Sequence, residues 1–241
     1  MKRLLIVGDG RVARSLALSF RAAGIAFVQC KNARSSLPRY LSRERARTRG
    51  RLFVFIAVPE GAWSSLSLLL RGDDLEPISV SGSLTVDDFA RLGLPKVSVF
   101  HPLMTFARPM SLRGVPVAVS SAPLRRLALA IGAKPFVLPQ DRTLYHAAAV
   151  VSAAGVATTL LLARALLTLA GGTDARVLAP IAHRAIDNLL AHGAAALTGP
   201  VPRGDEATLR KHLRAMRRAA PEDQRLFRAL LASMRRAWAL R

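Results

Sequence analysis

The sequence predicts an α/β protein: a parallel sheet with helices on both faces, then an all-helical C-terminal part. Three observations predict it. Short, almost wholly apolar runs alternate with helix-like stretches as far as Pro139. The first of these runs ends abruptly in a glycine-rich turn, Gly8-Asp9-Gly10. Beyond Pro139 the strand-like runs stop. Strands that are apolar throughout, rather than alternating with polar residues, belong to sheets covered on both faces.

The strand candidates are LLIV (4–7), IAFVQC (25–30), LFVFIAV (52–58), PISVS (77–81), KVSVF (96–100), VPVAVS (115–120) and KPFVL (134–138). Helix-like stretches lie between them at 16–23, 37–48, 62–70, 86–92 and around 124–128. In the second part, helices are expected over 141–170, 174–192, 205–219 and 221–240, with Gly171-Gly172 as a breaker. These patterns place a boundary near Pro139, giving domains 1–139 and 140–241.

The opening turn, Gly8-Asp9-Gly10-Arg11-Val12-Ala13, fits G-x-G-x-x-[GA]. The first glycine permits a tight turn, and the second lets the backbone approach a pyrophosphate. The third position must be small so that helix packs on strand. The following helix offers free N–H groups and its positive dipole end to phosphate. Placed between the first strand and a helix, the turn predicts a Rossmann-like dinucleotide site at Gly8, Gly10, Arg11, Val12 and Ala13. The second strand ends Cys30-Lys31-Asn32-Ala33-Arg34-Ser35, without the carboxylate that holds the ribose hydroxyls in NAD-preferring folds. Arg34 and Ser35 instead suit a 2′-phosphate, so the expected cofactor is NADP(H). Val58 and Pro59, at the end of the third strand, are expected to border the same cofactor.

Composition sets bounds. The chain has 241 residues, is 51% hydrophobic and carries a formal net charge of +21. Of its 36 basic residues only five are lysine. The arginines are dispersed, which reads as solvated faces more readily than as a nucleic-acid footprint. Clusters at Arg39, Arg43, Arg45, Arg47, Arg49 and Arg51, and at Arg210, Lys211, Arg214, Arg217 and Arg218, keep a nucleic-acid or anionic-surface binder as an alternative. Apart from Tyr40, neither cluster interleaves Phe, Tyr or Trp for base stacking. The single cysteine, Cys30, forms no internal disulfide, and no secretory leader is recognisable, so a cytoplasmic protein is expected. Residues 147–163 are uncharged but short for a bilayer and rich in Ala, Ser, Thr and Gly, so they are read as a soluble bundle or dimer core helix and not as a membrane span.

Four further stretches, SVSGSL (79–84), VFHPLMTF (99–106), LYHAAAV (144–150) and AALTGPVPRGDEATLRKHL (195–213), complete the pattern. With the opening turn they resemble a bacterial family of Rossmann-like proteins carrying a C-terminal domain of unknown function. That family is similar to the deazaflavin-dependent NADP oxidoreductases, the ketopantoate reductases and the pyrroline-carboxylate reductases. The resemblance implies an NADP-type Rossmann domain and a helical domain that often dimerises, hence a homodimer through the C-terminal helices. It implies no particular substrate. In two places the chain departs from the family pattern: Met104 stands where the family has glutamine, and Ala154 where it has asparagine, eight residues after His146.

Reduction of a small carbonyl or imine needs a placed nicotinamide, a pocket and a proton donor. Several related reductases use a lysine on the first C-terminal helix, and here that helix has none. His146 is the first candidate donor because imidazole titrates near neutrality, with Tyr145 beside it. His101 follows the fifth strand, at the carboxyl edge where ligands bind in open α/β sheets. Thr105, Asn188 and Arg203 are candidate substrate contacts, Arg203 as an anion clamp. Asp205 is expected to cap the helix that follows it. His183 with Asp187, or Asn188 with His192, are too few ligands for zinc, so no metal is expected. The expected function is an NADP(H)-dependent oxidoreductase with its small-molecule substrate between the domains. The alternative is a protein that binds or senses NADP(H) without turnover.

Overall fold

The computed structural model describes residues 3–47 and 50–240, the Arg34 side chain excepted. Arg49 of the first basic cluster therefore lies outside the described residues. The chain divides into two compact units, Met1–Val151 and Ser152–Arg241.

The first unit is built on a seven-stranded sheet in the order β2-β1-β3-β4-β5-β6-β7. The strands are β1 Leu4–Val7, β2 Phe27–Cys30, β3 Leu52–Ile56, β4 Leu75–Ser79, β5 Ser98–Pro102, β6 Pro116–Val119 and β7 Lys134–Val137. Every expected strand is present. Neighbours run parallel except β5 and β6, which pair antiparallel with His101 opposite Ala118. A parallel neighbour needs a crossover, usually a helix. The 103–115 segment contains none, so the chain returns antiparallel.

Side-chain alternation in the strands decides which helix goes where. Leu4, Ile6, Phe53 and Phe55 face α1 (Arg11–Ala22) and α5 (Ala122–Ala130) through Leu16, Phe20, Leu124 and Ala128. Leu5, Val7, Val54 and Ile56 face the other way. They meet α2 (Ala33–Arg47), the short α3 (Trp63–Leu66) and α4 (Val86–Arg91) through Leu37, Leu41, Trp63 and Phe89. A run such as LLIV is thus apolar throughout because both of its faces are buried.

The 103–115 segment is strapped to α1 by two buried serines. Ser15 and Ser19 donate to the Arg11 and Ser15 carbonyls, at 2.7 and 2.8 Å. They accept from the N–H groups of Met110 and Leu112, at 3.0 and 2.9 Å. Ser19→Ala leaves the Leu112 N–H unpaired inside the core. It is expected to cost about 1–3 kcal/mol, read as a lower urea midpoint at unchanged slope.

Two helix positions differ from expectation. α2 begins at Ala33, before the expected 37, so Arg34 and Ser35 sit in its first turn and not in a loop. Pro38 does not interrupt this helix. The helix after the sheet runs as α6 (Arg142–Val150), a π turn over Val151–Gly155, and α7 (Val156–Leu169). Ala154 falls in that wider turn, so its eight-residue separation from His146 does not carry the ordinary α-helical spacing. The break expected near Pro139 marks the end of the sheet. The first turns of α6 still pack on the first unit, which is why that unit extends to Val151.

The second unit is helical, with α7, α8 (Ala179–His192), α9 (Glu206–Ala219) and α10 (Gln224–Ala239). Its buried clusters are small: Leu162 with Met216 and Ala220, and Val201 with Leu209 and Leu231. Asp205 caps α9 through the Thr208 N–H at 3.0 Å, as its position predicts. The helix over Arg142–Leu169 is long and apolar enough to cross a membrane, and only 6% of its most apolar stretch is buried in this chain. The expected core position inside a bundle is therefore not what the single chain displays.

Candidate functional site

The order of the sheet creates a switch point. From β1 the chain crosses one way to β2, then back to the other side of β1 to form β3. Ligands of open α/β sheets bind outside the carboxyl ends of the strands at such a point. Gly8 stands there. Its φ is +122°, and a Cβ would lie 2.3 Å from the Ala57 carbonyl oxygen. Its N–H donates to the Cys30 carbonyl at 2.9 Å, and its own carbonyl accepts from Gln29 Nε2 at 3.0 Å. The turn is thus tied twice to the end of β2 and closely covered by the residue that follows β3.

Gly10 is the N-cap of α1, with extended backbone and no side-chain cap. No atom lies within 4 Å of where its Cβ would be. The first turn of α1 has no acidic residue, and Ala13 is fully buried against the sheet. An uncapped helix start facing open space, with small residues where a Cβ would intrude, fits a pyrophosphate. Arg11 is exposed and Val12 half-buried on the core. Asp9 is held by Arg14 in a forked pair, 3.1 and 2.8 Å, and this contact keeps its carboxyl below the usual range.

Beside the turn lies an open cleft of about 600 Å³ lined by Asp9, Lys31, Asn32, Ala33, Val58, Pro59, Gly61 and Ala62. Val58 and Pro59, expected to border the cofactor, line this cleft. Ser35 is exposed, its N–H 3.4 Å from Asn32 Oδ1 and its hydroxyl 3.4 Å from that of Ser36. The Arg34 side chain lies outside the described residues. Lys31 lines the cleft as well.

Farther along the same edge, His101 is the penultimate residue of β5, paired within the sheet and not in a loop after the strand as expected. Its Nδ1 lies 2.7 Å from the Tyr145 hydroxyl, and the two rings meet edge to face. Tyr145 is supported from behind by Phe136 of β7. α6 holds Tyr145 there because its own start is anchored. Asp141 caps it at the Leu144 N–H, and Arg142 reaches the Leu84 carbonyl at 2.8 Å with its guanidinium over Phe89. Burial, aided by the neighbouring His146, pulls the His101 pKa down to about 4. Burial pushes the Tyr145 phenol up to about 12. Both groups are neutral at pH 7.

The structure thus joins His101 and Tyr145, with His146 adjacent and half-buried. Thr105 and Met104 lie exposed past β5, and no hydrogen bond links Thr105 to His101 among the described residues. Asn188, half-buried on α8, and Arg203, exposed before α9, belong to the second unit. Among the described residues no three metal-ligating side chains converge.

Two features escaped the sequence reading. The His101 ring lies directly over Gly82, where a Cβ would stand 2.6 Å from ring carbon. Glu60, just past β3, accepts from the hydroxyls of Ser81 (2.6 Å) and Ser83. The only signal was the SVSGSL stretch itself, whose serines and glycine have no role until a strand on either side is placed.

A doubly wound sheet carrying a glycine turn at its switch point defines the Rossmann class. Residues 110–234 match the model of the domain of unknown function DUF2520, and the chain belongs to that family. No curated protein matches the sequence. The fold is similar to that of a candidate NADP oxidoreductase from Bacteroides fragilis, at 20% identity and a TM-score of 0.74 over 98% of both chains. It is also similar to a Thermotoga maritima protein, at 19% identity and a TM-score of 0.70 over 98% of both chains. An imine reductase from Bacillus cereus matches at 17% identity and a TM-score of 0.53, over 99% of this chain and 92% of that one.

Proposed function

We propose that the protein is an NADP(H)-dependent oxidoreductase that reduces a small carbonyl or imine. The observation that carries the proposal is the His101–Tyr145 pair at 2.7 Å, at the same carboxyl edge as the Gly8–Gly10 turn. The oxidoreductases among the similar folds support it. The preference for NADP(H) rests on the missing carboxylate after β2, on Lys31 in the cleft, and on Arg34 and Ser35 in the first turn of α2.

When bound, the cofactor supplies the hydride. The turn at Gly8 and Gly10 would receive its pyrophosphate, and Val58 and Pro59 would border it along the cleft. With both partners neutral, Tyr145 donates to His101 Nδ1, which leaves the proton of His101 on Nε2. Nε2–H donates to the substrate oxygen or nitrogen and transfers its proton as negative charge develops there. Tyr145 passes its proton to Nδ1 in the same step, and water then protonates Nε2 while the Nδ1 proton returns to the phenolate oxygen, which restores the starting pair.

Calorimetric titration with NADPH and NADH tests the cofactor side. Wild type is expected to bind NADPH at least tenfold more tightly than NADH, and Arg34→Ala to lose roughly tenfold in NADPH affinity alone. Absence of binding by folded protein overturns the proposal. Binding without NADPH oxidation across a panel of aldehydes, ketones and imines supports the reading as a binding protein without turnover.

A further inference from the structure

We propose that Glu60 is the acceptor for the vicinal hydroxyls of the ribose that joins pyrophosphate to nicotinamide. The inference rests on the dinucleotide reading above and deepens it.

The strand ends along the carboxyl edge follow one another in space. Lys31 and Asn32 follow β2, Gly8 follows β1, Glu60 lies past β3, Ser81 and Ser83 lie past β4, and His101 stands next to the end of β5. The cleft beside the turn is lined by residues on both sides of Glu60, namely Pro59 and Gly61, but not by Glu60. The carboxylate is instead held toward β4 by the two serines. It therefore stands beyond the pyrophosphate turn, on the way to His101. The group a dinucleotide presents between its pyrophosphate and its reacting ring is a ribose.

The chemistry of the cluster matches a diol. Both serine hydroxyls engage Oε1, and Oε2 has no partner among the described residues. An exposed glutamate ordinarily samples many rotamers, and holding it by one oxygen presents the other as a fixed acceptor. The serine loop does not need Glu60 for its own shape. Ser79 Oγ already accepts the Ser81 N–H at 3.1 Å, and Ser81 Oγ the Ser83 N–H at 3.2 Å. A carboxylate accepting from ribose hydroxyls is the usual recognition of that sugar in this class of fold, there on the adenosine side after the second strand. Here that place holds lysine and asparagine, and the carboxylate stands two strand positions away.

The test compares whole and half ligands by calorimetry on the full chain. NADPH is titrated against 2′,5′-ADP, and NADH against ADP, with wild type, Glu60→Ala and Glu60→Gln. The expected result is a loss of about tenfold or more for the whole dinucleotide in Glu60→Ala, with unchanged affinity for the half ligand. Glu60→Gln, which keeps the serine contacts, is expected to lose less. Unchanged dinucleotide affinity, or equal losses for whole and half ligands, overturns the assignment of Glu60 while leaving the dinucleotide site standing. Failure of folded wild type to bind any of the four overturns the dinucleotide reading and this inference with it.

Discussion

Gly8→Ala is expected to destabilise the first unit by about 3–5 kcal/mol, enough to leave much of the protein unfolded at 37 °C. Two costs combine. A φ of +122° is one that residues with a Cβ rarely adopt, and the new methyl would stand 2.3 Å from the Ala57 carbonyl oxygen. That carbonyl cannot withdraw freely, because the Ala57 N–H is bonded to Val7 at 2.8 Å and β1 and β3 are paired along their length. Gly10→Ala provides the control within the same turn. Its φ is −70°, and nothing lies within 4 Å of the new Cβ. Stability is expected to stay within about 1 kcal/mol, while NADPH binding is lost because the methyl enters the space left for phosphate. Urea unfolding and calorimetry of the two variants separate the roles. If Gly10→Ala binds NADPH like wild type, the opening at the helix start does not receive the pyrophosphate.

The contrast also explains what the sequence made legible. The turn could be read because its parts are contiguous and each glycine acts within a few residues. The strands could be read because double burial removes every polar residue from runs such as LFVFI. β4 was displaced by two residues in that reading because Glu76 looks like a loop residue. In the sheet its carboxylate accepts from Ser98 Oγ of β5 at 3.1 Å. The antiparallel return of β6 had one local sign, the lack of a helix-like stretch between the fifth and sixth apolar runs, and the parallel reading passed over it. The site was half legible for the same reason. His101 and Tyr145 each stood out in their own motif, but they are 44 residues apart and nothing local says that they meet. Gly82 has φ in the ordinary range and is needed only because a ring from another strand lies over it. The separation of roles between His146 and His101 likewise depends on burial, which places the better-partnered imidazole on β5 rather than on the helix.

That placement gives the second large expected effect. His101→Ala is expected to lower kcat by roughly a hundred- to a thousandfold while leaving the dissociation constant for NADPH unchanged. Tyr145→Phe keeps the ring packing on Phe136 but removes the donor to Nδ1, and a loss of about tenfold is expected. His146→Ala, lacking a place in the pair, is expected to cost less than either. The pH dependence distinguishes this arrangement from an ordinary histidine acid. A histidine of unperturbed pKa would lose its proton, and the reaction its acid, as pH rises through 6.5. With the His101 pKa near 4, kcat is expected to be flat between pH 5.5 and 8.5. The same shift makes a statement about stability. The folded state resists protonation until about pH 4, whereas the unfolded chain takes up the proton near 6.5. Unfolding therefore binds a proton across that window, and stability falls as pH falls, by at most roughly 3 kcal/mol. Urea titrations at pH 7 and pH 4.5 on wild type and His101→Gln isolate the term, because the variant lacks the titrating ring and its slope should be shallower by that amount. A kcat that instead drops with rising pH around 6.5 would place the acid elsewhere than on His101.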